Sequence, residues 1–262
     1  MSRTTDRRLR LPARRELPKT RAGWILLVLL VVLALVFYLV QDAGLLDGEQ
    51  RTAAPDSQLD PLLETGLAVE VEGGIAIDGQ AVAAEAGALR ITDRGRIGYD
   101  RDEFPHWTDP DGNGCDTRND ILARDLDEII WAEDGCRVMT GTLVDPYTGE
   151  TIEFVRGPET SPQVQIDHVI PLSAAWQGGA DSWTTSEREQ FANDPVNLEA
   201  VSGPENQAKG DRLPGEWLPA DAGYHCVYVA RITYLADRYD IAVTLQDRDA
   251  MVDIASGCRL PS

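Results

Sequence analysis

The sequence predicts an α+β fold, and three stretches carry that expectation. From Asp116, "DTRNDILARDLDEIIWAEDG" sets Ile121, Leu122, Leu126, Ile129 and Ile130 at helical spacing. "RVMTGTLVDPYTGETIEFV" reads as strand, turn and strand about residues 145–149. Two short apolar segments, "VQIDHVI" and "PVNLEAV", read as further strands, and "SGPENQAK" opens a helix behind the second.

At the amino end the charge pattern decides the organisation. The 262 residues carry a net −20, but residues 1–23 hold eight basic side chains (Arg3, Arg7, Arg8, Arg10, Arg14, Arg15, Lys19, Arg21) against Asp6 and Glu16. That surplus of six leaves −26 on the remainder. Residues 24–40, "WILLVLLVVLALVFYLV", carry no charge. At about 1.5 Å rise per residue they reach roughly 25 Å, close to a bilayer core. Trp24 and Tyr38 stand near its two ends, where interfacial aromatics belong. The basic flank is expected to stay cytoplasmic and the rest of the chain to face outward. No small-x-small cleavage pattern follows Val40, so the segment is expected to remain as a single-pass transmembrane anchor; cleavage would instead release a secreted protein. Residues 41–87 read as an acidic linker with a small hairpin in "LAVEVEGGIAIDG", and the folded domain is expected over residues 88–262.

Within that domain, Asp116 or Thr117 can cap the first helix, and Gly135 lies past its end. "AWQGGADSWTTSEREQFAND" reads as an insertion, helical from Thr185. Ser202 and Glu205 have capping-box spacing, with Pro204 in the first turn. Two further helices are expected at about 223–239 and 245–256. All four cysteines lie beyond the apolar segment, and an even number on the exported side points to two disulfides. Three connectivities are open; Cys115–Cys136 and Cys226–Cys258 are the expected pairs, because each closes a short loop around a helix. There is no C-x-x-C pair to suit a zinc knuckle, and no G-x-S-x-G elbow to suit a serine hydrolase.

The chemistry concentrates in Asp167-His168 on one strand, Asn197 on the next and Asn206 in the following helix. This order resembles the HNH (ββα-metal) nucleases. In that family the first strand ends in a metal ligand followed by a histidine base. The second strand brings an asparagine, and the helix brings a second ligand nine residues later, which is the distance from Asn197 to Asn206. The gap from His168 to Asn197 is longer than in compact members and marks an insertion. The blocks "YDRDEF", "GCDTRNDILARDL", "GTLVDPYTGE", "IDHVIPLSAAW", "FANDPVNLEAV", "NQAKGDRLPGEWLP" and "HCVYVARITYLADRY" together resemble exported HNH-family proteins related to the GmrSD-type nuclease domain. The likeness spans roughly residues 89–258.

The resemblance implies an HNH ββα-metal core with additional helices and a β-hairpin, and metal-dependent hydrolysis of DNA, with RNA as the second substrate. It implies Asp167 and Asn206 as metal ligands, His168 as general base and Asn197 as the organiser of the loop. Both ligands are hard oxygens, which suits Mg²⁺ first and Mn²⁺ second. Such an ion stabilises charge on the phosphate and the leaving oxygen. Strand alternation puts Asp167 and His168 on opposite faces, so they can do different work. An imidazole with an ordinary pKa near 6.5 suits a base at neutral pH. Lys209, one helical turn after Asn206, and Arg118, at the start of its helix, are candidate phosphate contacts.

His106 and His225 read as structural, and Trp107, Trp176, Trp183 and Trp217 as core or loop anchors. The −26 charge repels polyanions at long range and supports an alternative: a membrane-anchored binding module that keeps the scaffold without turnover. The intact Asp-His-Asn-Asn set favours the enzyme. No protein partner is implied.

Overall fold

The computed structural model describes residues 58–260, apart from residues 73, 94 and 96. The basic segment 1–23 and the apolar segment 24–40 lie outside the described residues, as does the first part of the expected linker. Among the described residues no helix is long and apolar enough to cross a membrane.

The elements run α1 (Asp60–Glu64), β1 (Ala68–Val71), β2 (Gly74–Ile77), α2 (Gly79–Ala88), α3 (Thr117–Asp125), β3 (Asp127–Trp131), β4 (Val138–Val144) and β5 (Thr151–Val155). Then follow β6 (Val164–His168), α4 (Leu172–Gly178), α5 (Thr185–Ala192), β7 (Leu198–Ser202), α6 (Gly203–Lys209), α7 (His225–Arg238) and α8 (Leu245–Gly257). All strand pairs are antiparallel: β1–β2, β3–β4–β5 and β6–β7. Among the described residues the fold is therefore α+β with three small sheets.

The folded unit starts well before Ala88. Leu62, Leu67, Ala68, Ile77, Val82 and Ala86 all belong to the main apolar core. The stretch expected to be linker is thus, from α1 onward, part of the domain. Asp78 caps α2 by accepting from the N–H groups of Gln80 and Ala81. A Cβ at Gly79 would lie 2.3 Å from the Ala255 carbonyl, so glycine is what lets α2 seat directly on α8.

A second difference concerns the helix from Asp116. Asp116 caps α3 as expected, but the helix stops at Asp125, and residues 127–131 form a strand. Leu126 is extended, Glu128 takes a left-handed φ of 51°, and the β3–β4 register shifts there. The Asp125 carboxylate accepts the Ala200 N–H at 2.7 Å and pairs with Arg124 at 2.6 Å, which fixes the helix end against β7. Ile129, Ile130 and Trp131 suit a pleated surface, so tertiary pairing overrides the helical period.

β6, β7 and α6 form a ββα unit. Asp167 lies opposite Glu199 and His168 opposite Leu198. One face of the pair (Val164, Ile166, Leu198, Ala200) packs on Ile121, Leu122, Leu143 and Phe154. The other carries Gln165, Asp167 and Glu199. The expected capping box of α6 does not form: Ser202 makes no side-chain cap. Instead Gly203 permits close approach, since a Cβ there would lie 2.0 Å from the Pro162 carbonyl oxygen. Capping boxes do form at Thr184–Glu187 and Thr244–Asp247.

The disulfides are Cys115–Cys136, 21 residues apart, and Cys226–Cys258, 32 residues apart. The second ties the start of α7 to the end of α8. Replacing both Cys226 and Cys258 with Ser should cost about 3 kcal/mol, read as a lowered urea midpoint. An unchanged midpoint would show that the link adds nothing to stability.

Candidate active site

Asp167 stands at the centre of a buried polar knot. Its Oδ2 accepts from the Lys209 ammonium at 2.6 Å and from the Tyr147 hydroxyl at 2.5 Å. Lys209 is fully buried, and its Nζ also donates to the His168 carbonyl at 2.7 Å. Burial pushes the Lys209 pKa down, and Asp167 counters that pull. Burial, then the Asp167 charge, pushes the Tyr147 phenol well above its ordinary value, so it stays protonated and donates. Lys209, expected to face a phosphate, thus spends its charge on Asp167; a fully buried ammonium needs a counter-charge within reach.

Tyr147 arrives from the β4–β5 turn. Asp145 shapes that turn by accepting from the Tyr147 N–H and the Thr148 hydroxyl. It also accepts the Ser202 N–H, which docks the turn on the end of β7. Beside Asp167, Glu199 is bound by Arg231, whose other nitrogens donate to the Val196 and Leu198 carbonyls. Burial lowers the Arg231 pKa to about 10, and the group remains charged at neutral pH.

His168 leaves the strand on the opposite face. Its Nε2 lies 2.9 Å from the Ala192 carbonyl, which can only accept. Nε2 therefore carries the proton and Nδ1 the lone pair. Burial lowers its pKa to about 3, with the charges of Arg101, Lys209 and His106 adding to the effect. The imidazole is neutral at pH 7, and the ordinary pKa near 6.5 expected of it is not kept, because burial disfavours the charged ring. Trp107 packs against it, with ring centroids 5.8 Å apart. Trp107 has a φ of 59°, a left-handed conformation that costs a bulky residue about 1–2 kcal/mol. It is held by flanking bonds: Asn193 accepts the Thr108 N–H and donates to the Pro105 carbonyl.

Asn197, expected on the second strand, lies in the short turn just before β7; it is fully buried and binds the loop after His168. Its Oδ1 accepts the Ile170 N–H at 2.8 Å, and its backbone carbonyl accepts the Val169 N–H at 2.8 Å. Asn206 donates to the Gln165 side chain at 3.0 Å. α6 thus lies along β6 with Asn206 above Gln165 and Lys209 above Asp167. Arg118 is half-buried beside Arg156, and burial followed by that like charge lowers its pKa.

Asp167 and Asn206 offer oxygen donors from two adjoining elements. Among the described residues no group of three His, Cys, Asp or Glu could enclose a metal. The chemistry of this donor set fits a hard ion that keeps most of its waters, and does not fit a zinc cage. Tyr147 and Trp107 were missed as site residues by sequence reasoning. The ordered block "GTLVDPYTGE" and the "FPHW" stretch were the signals available.

Residues 116–254 match the family described as GmrSD restriction endonucleases, C-terminal domain. A protein of Arthroderma benhamiae described as an uncharacterized secreted protein is 40% identical over 163 residues, covering 62% of this chain and 76% of that protein. No solved structure matches.

Lys209→Met leaves the Asp167 carboxylate without its counter-charge and should cost about 3–5 kcal/mol in urea unfolding. The double variant Lys209→Met/Asp167→Leu should recover most of that loss; a sum of the two single losses would contradict a paired charge. For His168, the folded pKa lies below the unfolded one. The unfolded chain therefore binds the proton first, and stability falls as pH drops from about 6.5 towards 3. Between pH 7 and 5 the wild type should lose about 2 kcal/mol more than His168→Gln. Equal losses would show that His168 titrates alike in both states.

Proposed function

The chain belongs to the GmrSD restriction endonuclease C-terminal-domain family, and from that premise we propose that it is a metal-dependent endonuclease hydrolysing phosphodiester bonds, with DNA favoured over RNA. The main support is this family membership together with the β6–β7–α6 unit, where Asp167 and Asn206 come from adjoining elements and Asn197 is bonded into the loop after His168.

Mg²⁺, or Mn²⁺ in its place, held by Asp167 and Asn206 would supply charge stabilisation for the phosphate. His168 is the base. With Nε2–H tied to Ala192, its Nδ1 accepts the proton of the attacking water. Asn197 fixes the backbone just after His168. Lys209 holds Asp167 in place and keeps positive charge beside it. Arg118, next to Arg156, is a phosphate contact. Arg118 and Arg156 offset locally part of the repulsion expected from a net −20 chain.

The reaction runs outside the cytoplasm. Two disulfides fit an oxidising compartment, and the related Arthroderma benhamiae protein is described as secreted. Residues 24–40 provide the single-pass membrane anchor, or a leader if they are removed.

The test uses the full chain, purified oxidised in mild detergent and incubated with plasmid, linear DNA and RNA. Cleavage should appear with Mg²⁺ or Mn²⁺ and vanish with EDTA. His168→Ala should slow it by about 10²–10⁴-fold. A folded wild type that cuts none of these would replace the nuclease with a non-catalytic binding module. Undiminished cutting by His168→Ala would remove that residue as the base.

A further inference from the structure

We infer that Tyr147 is a positioning residue for Asp167: its hydroxyl and the Lys209 ammonium together fix Asp167 Oδ2, so that Oδ1 is the oxygen turned to a hard divalent cation. This inference rests on the nuclease reading of the same site. Both donors converge on one carboxylate oxygen, at 2.5 Å from Tyr147 and 2.6 Å from Lys209. They approach from different parts of the fold, the β4–β5 turn and the last turn of α6.

A carboxylate at the end of a side chain can rotate, and two donors on one oxygen set that rotation. Lys209 presents a compact charge without a fixed donor plane, shared between Asp167 and the His168 carbonyl. Tyr147 is rigid: its ring is fully buried, against Trp217 at 5.1 Å and Tyr228 at 5.9 Å. The turn beneath it is itself bonded to β7 through Asp145 and the Ser202 N–H. The phenol is therefore anchored to the strand that pairs with β6, and it carries no charge to compete with a cation.

Groups that hold a metal ligand from behind typically alter metal affinity by about 10–100-fold when removed. Tyr147→Phe keeps the ring and its packing, and Asp167 keeps Lys209, so the variant loses one hydrogen bond and folds. The experiment measures Mn²⁺ affinity of the full chain without nucleic acid, by electron paramagnetic resonance, for wild type, Tyr147→Phe, Asp167→Asn and the double variant. Tyr147→Phe should bind Mn²⁺ about 10-fold or more weakly. In the Asp167→Asn background the same change should have no further effect. A lowered melting temperature with unchanged Mn²⁺ affinity would mark Tyr147 as structural and overturn the inference, with the nuclease reading left standing. A wild type that binds no Mn²⁺ would overturn both.

Discussion

A carboxylate and an ammonium buried together set the geometry of this protein's polar centre. Asp167 and Lys209 are both withdrawn from water, and neither could remain so alone. Their contact pins the last turn of α6 to the end of β6. The same ammonium holds the His168 carbonyl, and the same carboxylate holds the Tyr147 hydroxyl. A strand, a helix and a turn between two other strands are therefore fixed relative to one another by one charge pair. Glu199 and Arg231 repeat the pattern on β7, where the buried guanidinium also donates to the Val196 and Leu198 carbonyls.

The two faces of β6 give two adjacent residues different physical chemistry. Asp167 lies among donors and keeps a charge-bearing surrounding. His168 lies among aromatic and apolar groups, is tied through Nε2, and is held neutral by burial. One register step separates an electrostatic anchor from a neutral lone-pair acceptor. Asn197 then fixes the chain where it leaves the strand. The insertion between His168 and Asn197 contributes as well, because Ala192 at the end of α5 supplies the carbonyl that sets the His168 tautomer.

The ββα unit was legible because it is local. Alternation in "VQIDHVI", the nine-residue step from Asn197 to Asn206 and the glycine-proline start of α6 are all written in short windows. Sequence reasoning also anticipated the disulfide pairs, both of which span modest lengths. What it could not show depends on partners far along the chain. Tyr147 meets Asp167 across 20 residues and Lys209 meets it across 42. Lys209 reads as a surface cation until the strand beneath it is known. Residues 41–87 read as linker because residues 41–65 are polar, acidic and small, yet from α1 onward the chain packs into the core with α7 and α8. Residues 127–131 carry a helical period that strand pairing overrides. The left-handed Trp107 follows from bonds to Asn193 that no local pattern records.

The most direct measurement is a crystal structure of the protein grown with Mn²⁺, with the ion located by its anomalous scattering. The account predicts Mn²⁺ in contact with oxygens of both Asp167 and Asn206, with Tyr147 still bonded to Asp167 Oδ2. An Asp167 still closed by Lys209, with Mn²⁺ at neither residue, would contradict it.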